Sequence, residues 1–145
     1  MPLNDWLRKR ALKNEGRASR TYVVTSTTGD NAGSVIAFYT LAAGAIQLEE
    51  VPKPLTRNMP NPLPIMVLGR MAVDQRHGGR GLGRFMLREA MQRVLEASQQ
   101  VGARALVVHA IDDEAVSFCT QFGFQIFPAG SNTLFLPIET IASSL

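Results

Sequence analysis

The sequence predicts an α/β fold: one domain over residues 1–145, built on a mixed central sheet flanked by helices. Three observations carry this expectation. The apolar run "IMVLGRMAVD" (65–74) passes through a glycine-rich loop into a long amphipathic helix pattern, and a second buried-strand pattern, "ARALVVHAI" (103–111), follows it. Hairpin-like strand pairs stand on both sides of that unit. A chain of 145 residues with 46% hydrophobic and 19% charged side chains has an ordinary globular composition. It is long enough to bury about two thirds of its unfolded surface in one core.

The elements follow in order. Leu3, Trp6, Leu7 and Ala11 recur at helical spacing over residues 3–13, with basic side chains mostly on the other face, and Gly16 is a plausible stop. Trp6 reads as core rather than as a base-stacking platform. "TYVVTS" (21–26) is β-branched and aromatic, "TGDN" (28–31) is turn chemistry, and residues 33–50 read as a return strand that bends or bulges near Gly44. Residues 51–64 hold five of the eight prolines and are expected to be neither helix nor central strand. The helix over about 82–100 should face Leu82, Phe85, Met86, Ala90, Met91, Val94 and Leu95 inward. "DDEAVSFCTQF" (112–122) reads as a short helix with acidic residues in its first turn, where the dipole favours them, ended by Gly123 and Phe124. "FQIF" and "NTLFLPI" complete a last hairpin.

Charge and cysteine usage narrow the function. The net charge is +3, but the first twenty residues carry six basic side chains against two acidic ones, while the remainder carries nine against ten. The positive field therefore belongs to Arg8, Lys9, Arg10, Lys13, Arg17 and Arg20, which suit either a polyanion or a solvated helix face. The single cysteine, Cys119, cannot close an internal disulfide, the N-terminus lacks an apolar signal region, and no apolar run approaches the ~20 residues of a membrane span. These features point to the cytoplasm, without membrane association. There is no cluster of metal-ligand type.

The glycine loop "RHGGRGLGRFML" (76–87) places Gly78, Gly79, Gly81 and Gly83 between a strand and a helix start. Glycines let backbone N–H groups approach an anion, and a helix N-terminus offers both free donors and a positive dipole end. Arg80 and Arg84 add charge. The spacing fits neither a dinucleotide fingerprint nor a P-loop, which would end in Gly-Lys-Ser/Thr. From its own residues the loop is either an anion cradle or a turn without a ligand.

The stretch "LGRMAVDQRHGGRGLGRFML" (68–87) resembles motif A of the GCN5-related N-acetyltransferases (GNATs), in which a central strand leads into a pyrophosphate loop and helix. "EAVSFCTQFGF" (114–124) resembles their motif B, and the two occur in the family's order with one strand between them. "RNMPNPLPIMVLGRMAVD" and "DWLRKRALKN" resemble, more narrowly, the GNAT toxins of bacterial toxin–antitoxin pairs. The resemblance implies a GNAT fold with splayed central strands and acetyl-CoA as cofactor. It also implies acetylation of the α-amino group of aminoacyl-tRNA, a ribbon-helix-helix antitoxin and a homodimer. Acetylation of a small amine or a protein N-terminus, and a catalytically weakened CoA-binding module, are the alternatives.

Carried over residue by residue, the resemblance gives Met71, Ala72 and Val73 on the motif A strand to pantetheine and the thioester carbonyl. It gives Gly78, Gly79, Arg80, Gly81, Leu82, Gly83 and Arg84 to the pyrophosphate, with Asp112 and Phe118 completing the cofactor set. Arg8, Lys9, Lys13, Arg57 and Asn58 would meet tRNA. The sequence departs from the pattern in three places. Gly78 stands where the family has glutamine or arginine, in the register that ends at Gly83; a literal match from Arg76 through Gly79 to Gly81 starts two residues earlier. The family's first strand is expected to be missing. Cys119 stands where the family has the tyrosine that protonates the departing thiolate. A thiol, with a reference pKa of about 8.5, can give its proton to another alkyl thiolate, but it is a weaker hydrogen-bond donor than a phenol. His109 reads as structural and His77 as an exposed loop residue.

Overall fold

A computed structural model of the chain describes residues 19–25, 33–53, 56–74, 81–127 and 132–144. The basic segment with Arg8, Lys9 and Lys13, and the loop glycines 78 and 79 with Arg80, lie outside the described residues. Six strands form one sheet in the order β1-β2-β3-β4-β6-β5. They are β1 (Arg20–Thr25), β2 (Val35–Ile46), β3 (Leu63–Val73), β4 (Ala105–His109), β5 (Gln125–Ile126) and β6 (Thr133–Pro137). The helices are α1 (Leu82–Val101), α2 (Asp113–Thr120) and α3 (Ile138–Ser144). Contacts group the chain into two compact units, one of the described residues up to Ala42 with Leu68–Ala90, the other of Ala43–Val67 with the described residues from Met91 onward.

In the first unit, β1 and β2 pair antiparallel, with Tyr22 opposite Tyr39 and their rings stacked 5.1 Å apart. Such cross-strand aromatic pairs help fix register. The irregularity of this ladder falls between Val24 and Thr25, away from Gly44. Asp74 N–H donates to Ile36 O at 2.7 Å, joining the end of β3 to the start of β2, as antiparallel neighbours require. Phe38, Tyr39 and Leu41 are core residues of this unit.

In the second unit, Arg104 N–H donates to Pro64 O at 2.9 Å, so β4 and β3 start together and run parallel. The sheet is therefore mixed, as the strand–loop–helix–strand pattern predicts. β4 pairs antiparallel with β6, Ala105 facing Pro137 and Val107 facing Phe135. A cluster of Val51, Leu63, Ile65, Ala105, Val107 and Phe135 packs along one face. Gly44 belongs here for a steric reason: a Cβ would stand 3.1 Å from Val67 Cγ2.

Four local expectations are corrected. On α1 the buried stripe is Met86, Leu87, Ala90, Met91 and Val94, while Phe85 is 54% exposed. At 3.6 residues per turn Phe85 lies opposite that stripe and Leu87 within it. The return strand stops at Ile46 and a 3₁₀ turn, Leu48–Glu50, follows. Pro64 is the second residue of the central strand β3, where its carbonyl accepts from Arg104 N–H although it has no N–H of its own to give. Finally, α3 has no counterpart in the sequence reading.

Candidate active site

The strand residues expected in the cradle lie at the end of β3. Met71, Ala72 and Val73 occupy its last three positions and are half-buried. Just before them, Arg70 N–H donates to Thr40 Oγ1 at 3.0 Å, and Thr40 is the buried polar residue of β2. A Cβ on Gly69 would lie 2.9 Å from that hydroxyl, so glycine leaves room for the bond.

The described part of the expected loop, from Gly81, leads into α1. Gly81 has φ +77°, with open space where a Cβ would point. This left-handed backbone favours glycine. Gly81 O accepts from Phe85 N–H at 3.0 Å, opening the helical ladder. The N–H groups of Leu82 and Gly83 stand in the first turn, where no preceding turn supplies an acceptor. An unobstructed backbone, a turn of glycine geometry and first-turn donors suit an anion such as a pyrophosphate. Arg84 is exposed on the same turn.

The residues expected on α2 have separate surroundings. Asp112 is the N-cap, its Oδ1 accepting from Ala115 N–H at 2.8 Å. Phe118 is half-buried, its ring 5.4 Å from that of Phe122. Cys119 is 5% exposed, and burial pushes its thiol above the ordinary value near 9.0. At neutral pH it is a protonated thiol, able to release a proton but unlike a reactive thiolate. His109 is exposed at the end of β4, its Nδ1 3.0 Å from Thr133 Oγ1.

Arg57 and Asn58 sit in the turn before β3, both exposed, with Asn58 at φ +59°. Arg57 lines an apolar pocket of about 220 Å³ in the second unit, floored by Ile65, Val107 and Phe135 and bounded by Phe127. Arg104, whose Nη2 bonds Glu139 Oε1, is at the same pocket. Sequence reasoning missed Arg104, Phe127 and Phe135. The alternation in "TLFLP" marks Phe135 as one face of a strand, yet nothing in it separates a pocket floor from a covered core.

The family model of the acetyltransferase (GNAT) family matches residues 3–124. The chain belongs to the GNAT family. It is thus an acetyltransferase of α/β fold, with acetyl-CoA as acyl donor. A tRNA-acetylating toxin of Mycobacterium tuberculosis is 43% identical over 126 residues, covering 87% of this chain and 74% of the relative. Among solved structures, AtaT complexed with acetyl-methionyl-tRNAfMet superposes with a TM-score of 0.88 at 27% identity, covering 98% of this chain and 85% of AtaT. A mutant AtaT toxin bound to the C-terminus of the antitoxin AtaR and acetyl-CoA gives 0.79 at 28% identity, with 98% and 82% covered. No helix among the described residues of this GNAT is long and apolar enough to cross a membrane.

Proposed function

We propose that this GNAT is a toxin-type enzyme that transfers acetyl from acetyl-CoA to the α-amino group of aminoacyl-tRNA. The 43% identity to a tRNA-acetylating toxin over 87% of the chain carries the reading. The chemistry agrees with it. A free α-amino group has a pKa of about 7.7–8.0, and an adjacent ester lowers it, so the nucleophile is largely neutral near pH 7. The demand on a general base is correspondingly small.

In this reading backbone groups of Met71, Ala72 and Val73 orient the thioester. The N–H groups of Gly78, Gly79, Arg80, Gly81, Leu82, Gly83 and Arg84 hold the pyrophosphate, so backbone donors stand in for the side chain that Gly78 lacks. Phe118 and the turn capped by Asp112 border the cofactor. Positioning of this kind supplies much of the acceleration. The thiol of Cys119 gives its proton to the departing CoA sulfur, and the proton that the acylated nitrogen releases returns to Cys119, so the thiol is restored. Arg8, Lys9, Lys13, Arg57 and Asn58 contact tRNA phosphates, which makes binding salt-dependent. The protein works in the cytoplasm as a homodimer, and a ribbon-helix-helix antitoxin holds it in check.

The test is transfer from labelled acetyl-CoA to a panel of charged tRNAs beside free amino acids, polyamines and peptide N-termini. Label on charged tRNA alone is the expected result. Label on the small amines or peptides and none on charged tRNA overturns the reading. A second reading, a CoA-binding module with weakened catalysis, is favoured by one observation: the buried thiol of Cys119 where a phenol is expected. It requires tight acetyl-CoA binding with no transfer to any acceptor.

A further inference from the structure

We infer that Tyr39 and Thr40, consecutive residues of β2, are positioning residues for acetyl transfer: Thr40 aims the end of β3, and Tyr39 fixes α1. The inference rests on the acetyl-CoA cradle proposed above, and every residue it uses belongs to the first unit. Met71, Ala72 and Val73 lie between two pins to β2. At one end Arg70 N–H donates to Thr40 Oγ1 at 3.0 Å, and at the other Asp74 N–H donates to Ile36 O at 2.7 Å. The N–H groups of a strand alternate between its two edges. With those of Arg70 and Asp74 turned to β2, those of Met71 and Val73 turn to the opposite edge, free of β2 and able to meet a thioester carbonyl. The pin at Ile36 is backbone, whereas the pin at Thr40 is a side chain that is 2% exposed. Valine would fill the same space, but only the hydroxyl can accept from Arg70 N–H. Gly69 leaves it room, since a Cβ there would lie 2.9 Å from the oxygen.

Tyr39 acts on the other half of the cradle. Its side chain is 1% exposed and stacked on Tyr22, and its hydroxyl donates to Glu89 Oε1 at 3.0 Å. Glu89 is half-buried on α1, about two turns after Leu82, where the first-turn donors stand. The apolar stripe of α1 is attracted without regard to direction. A hydrogen bond holds only within a narrow range of distance and angle. The Tyr39–Glu89 bond therefore fixes how α1 is turned and where it sits along its axis, and with that where the N–H groups of Leu82 and Gly83 point. Because Tyr39 and Thr40 adjoin, one strand sets the separation between the thioester end and the pyrophosphate end. Catalysis by positioning needs such a common reference.

The experiment measures, on the full chain, the acetyl-CoA dissociation constant by titration calorimetry and kcat for a pool of charged tRNAs at saturating acetyl-CoA. Counting kcat per binding-competent molecule, from the calorimetric stoichiometry, cancels any loss of folded protein. Thr40→Val keeps the shape and removes the acceptor. It should lower kcat about tenfold or more, the effect of a slightly misplaced thioester, with the dissociation constant near the parent value. Thr40→Ser should restore kcat. Tyr39→Phe keeps the ring stack and removes the donor. It should weaken acetyl-CoA binding about fivefold, with kcat at saturation retained. Parent values of kcat in Thr40→Val and of affinity in Tyr39→Phe, or a kcat that serine does not restore, overturn this inference. The cradle reading survives that result as long as Gly81→Val weakens acetyl-CoA binding. A Gly81→Val protein that binds like the parent overturns the cradle and this inference with it. If no charged tRNA is acetylated, the ratio of acetyl-CoA to CoA affinity replaces kcat as the readout of the thioester end, and Thr40→Val must lower that ratio or the inference falls.

Discussion

Asp112 caps the helix that carries Cys119, its carboxylate oxygen 2.8 Å from the backbone N–H of Ala115. The bond satisfies one of the first-turn donors, and the negative charge opposes the positive end of the helix together with Asp113 and Glu114. Asp112→Ala should lower stability to urea by about 1 kcal/mol, whereas Asp112→Asn, which keeps an acceptor at the same reach, should recover most of it. The acetyl-CoA dissociation constant separates capping from direct contact with the cofactor. If Asn restores stability but not affinity, Asp112 touches the cofactor through its charge; if it restores both, capping accounts for the residue.

Gly69 and Thr40 set up a second test. The Thr40 hydroxyl is buried and accepts from Arg70 N–H, and it occupies the space that a Cβ at position 69 would need. Gly69→Ala must either displace the hydroxyl or shift β3, just before the residues proposed to orient the thioester. Overpacking of this kind costs about 1–3 kcal/mol. The thermal midpoint should fall, and the double variant Gly69→Ala with Thr40→Ala, which removes the obstructing oxygen, should regain part of the loss. A Gly69→Ala protein as stable as the parent would show that the strand yields without strain.

Much of this architecture is legible in the sequence because its signals are local. β-branched and aromatic runs gave β1, β3 and β4, and Asp112 with two further acids announced α2. On α1 the expectation and the structure differ at two residues: Phe85 and Leu87 are both large and apolar, and only the summed geometry of the helix decides which is buried. α3 is seven residues directly after Pro137, too short to display a helical period. The cradle residues are an expectation from motifs with fixed spacing. The pocket has no such signal, because its walls come from segments far apart in the chain. Arg104 meets Glu139 through Nη2 across 35 residues of chain, a pairing no local pattern announces.

Gly81 joins a left-handed backbone to the proposed pyrophosphate site. At φ +77° an L-residue costs about 1–2 kcal/mol, although no atom lies within 4 Å of a Cβ built there. Gly81→Val should therefore lose acetyl-CoA affinity through a displaced backbone rather than through a clash, and the helix itself should persist. Titration calorimetry should find binding weakened at least tenfold with far-UV circular dichroism unchanged. Arg76→Ala, which removes a side chain that the backbone-donor arrangement does not use, should alter affinity by less than twofold. The opposite ranking would move the pyrophosphate site to side-chain recognition.

Cys119 makes predictions about both pH and rate. Burial raises its thiol pKa in the folded protein above the ordinary value near 9.0. The folded state then holds the proton more tightly than the unfolded one, so the associated stability is complete below the unfolded pKa and is lost as pH rises through the folded value. Unfolding free energy should decline in alkali above about pH 9, and Cys119→Ala should flatten that decline without changing the neutral-pH profile beyond its own constant cavity cost. On the rate side, the thiol is a poorer donor than a phenol for the proton-donor role proposed for it. Cys119→Tyr should raise kcat if the proton donor limits the reaction, and Cys119→Ala should lower it by up to about 10²–10⁴-fold if the thiol serves in that role. Equal kcat values for the cysteine, alanine and tyrosine forms would show that the leaving thiolate needs no acid from α2, and the function of Cys119 would then be packing alone.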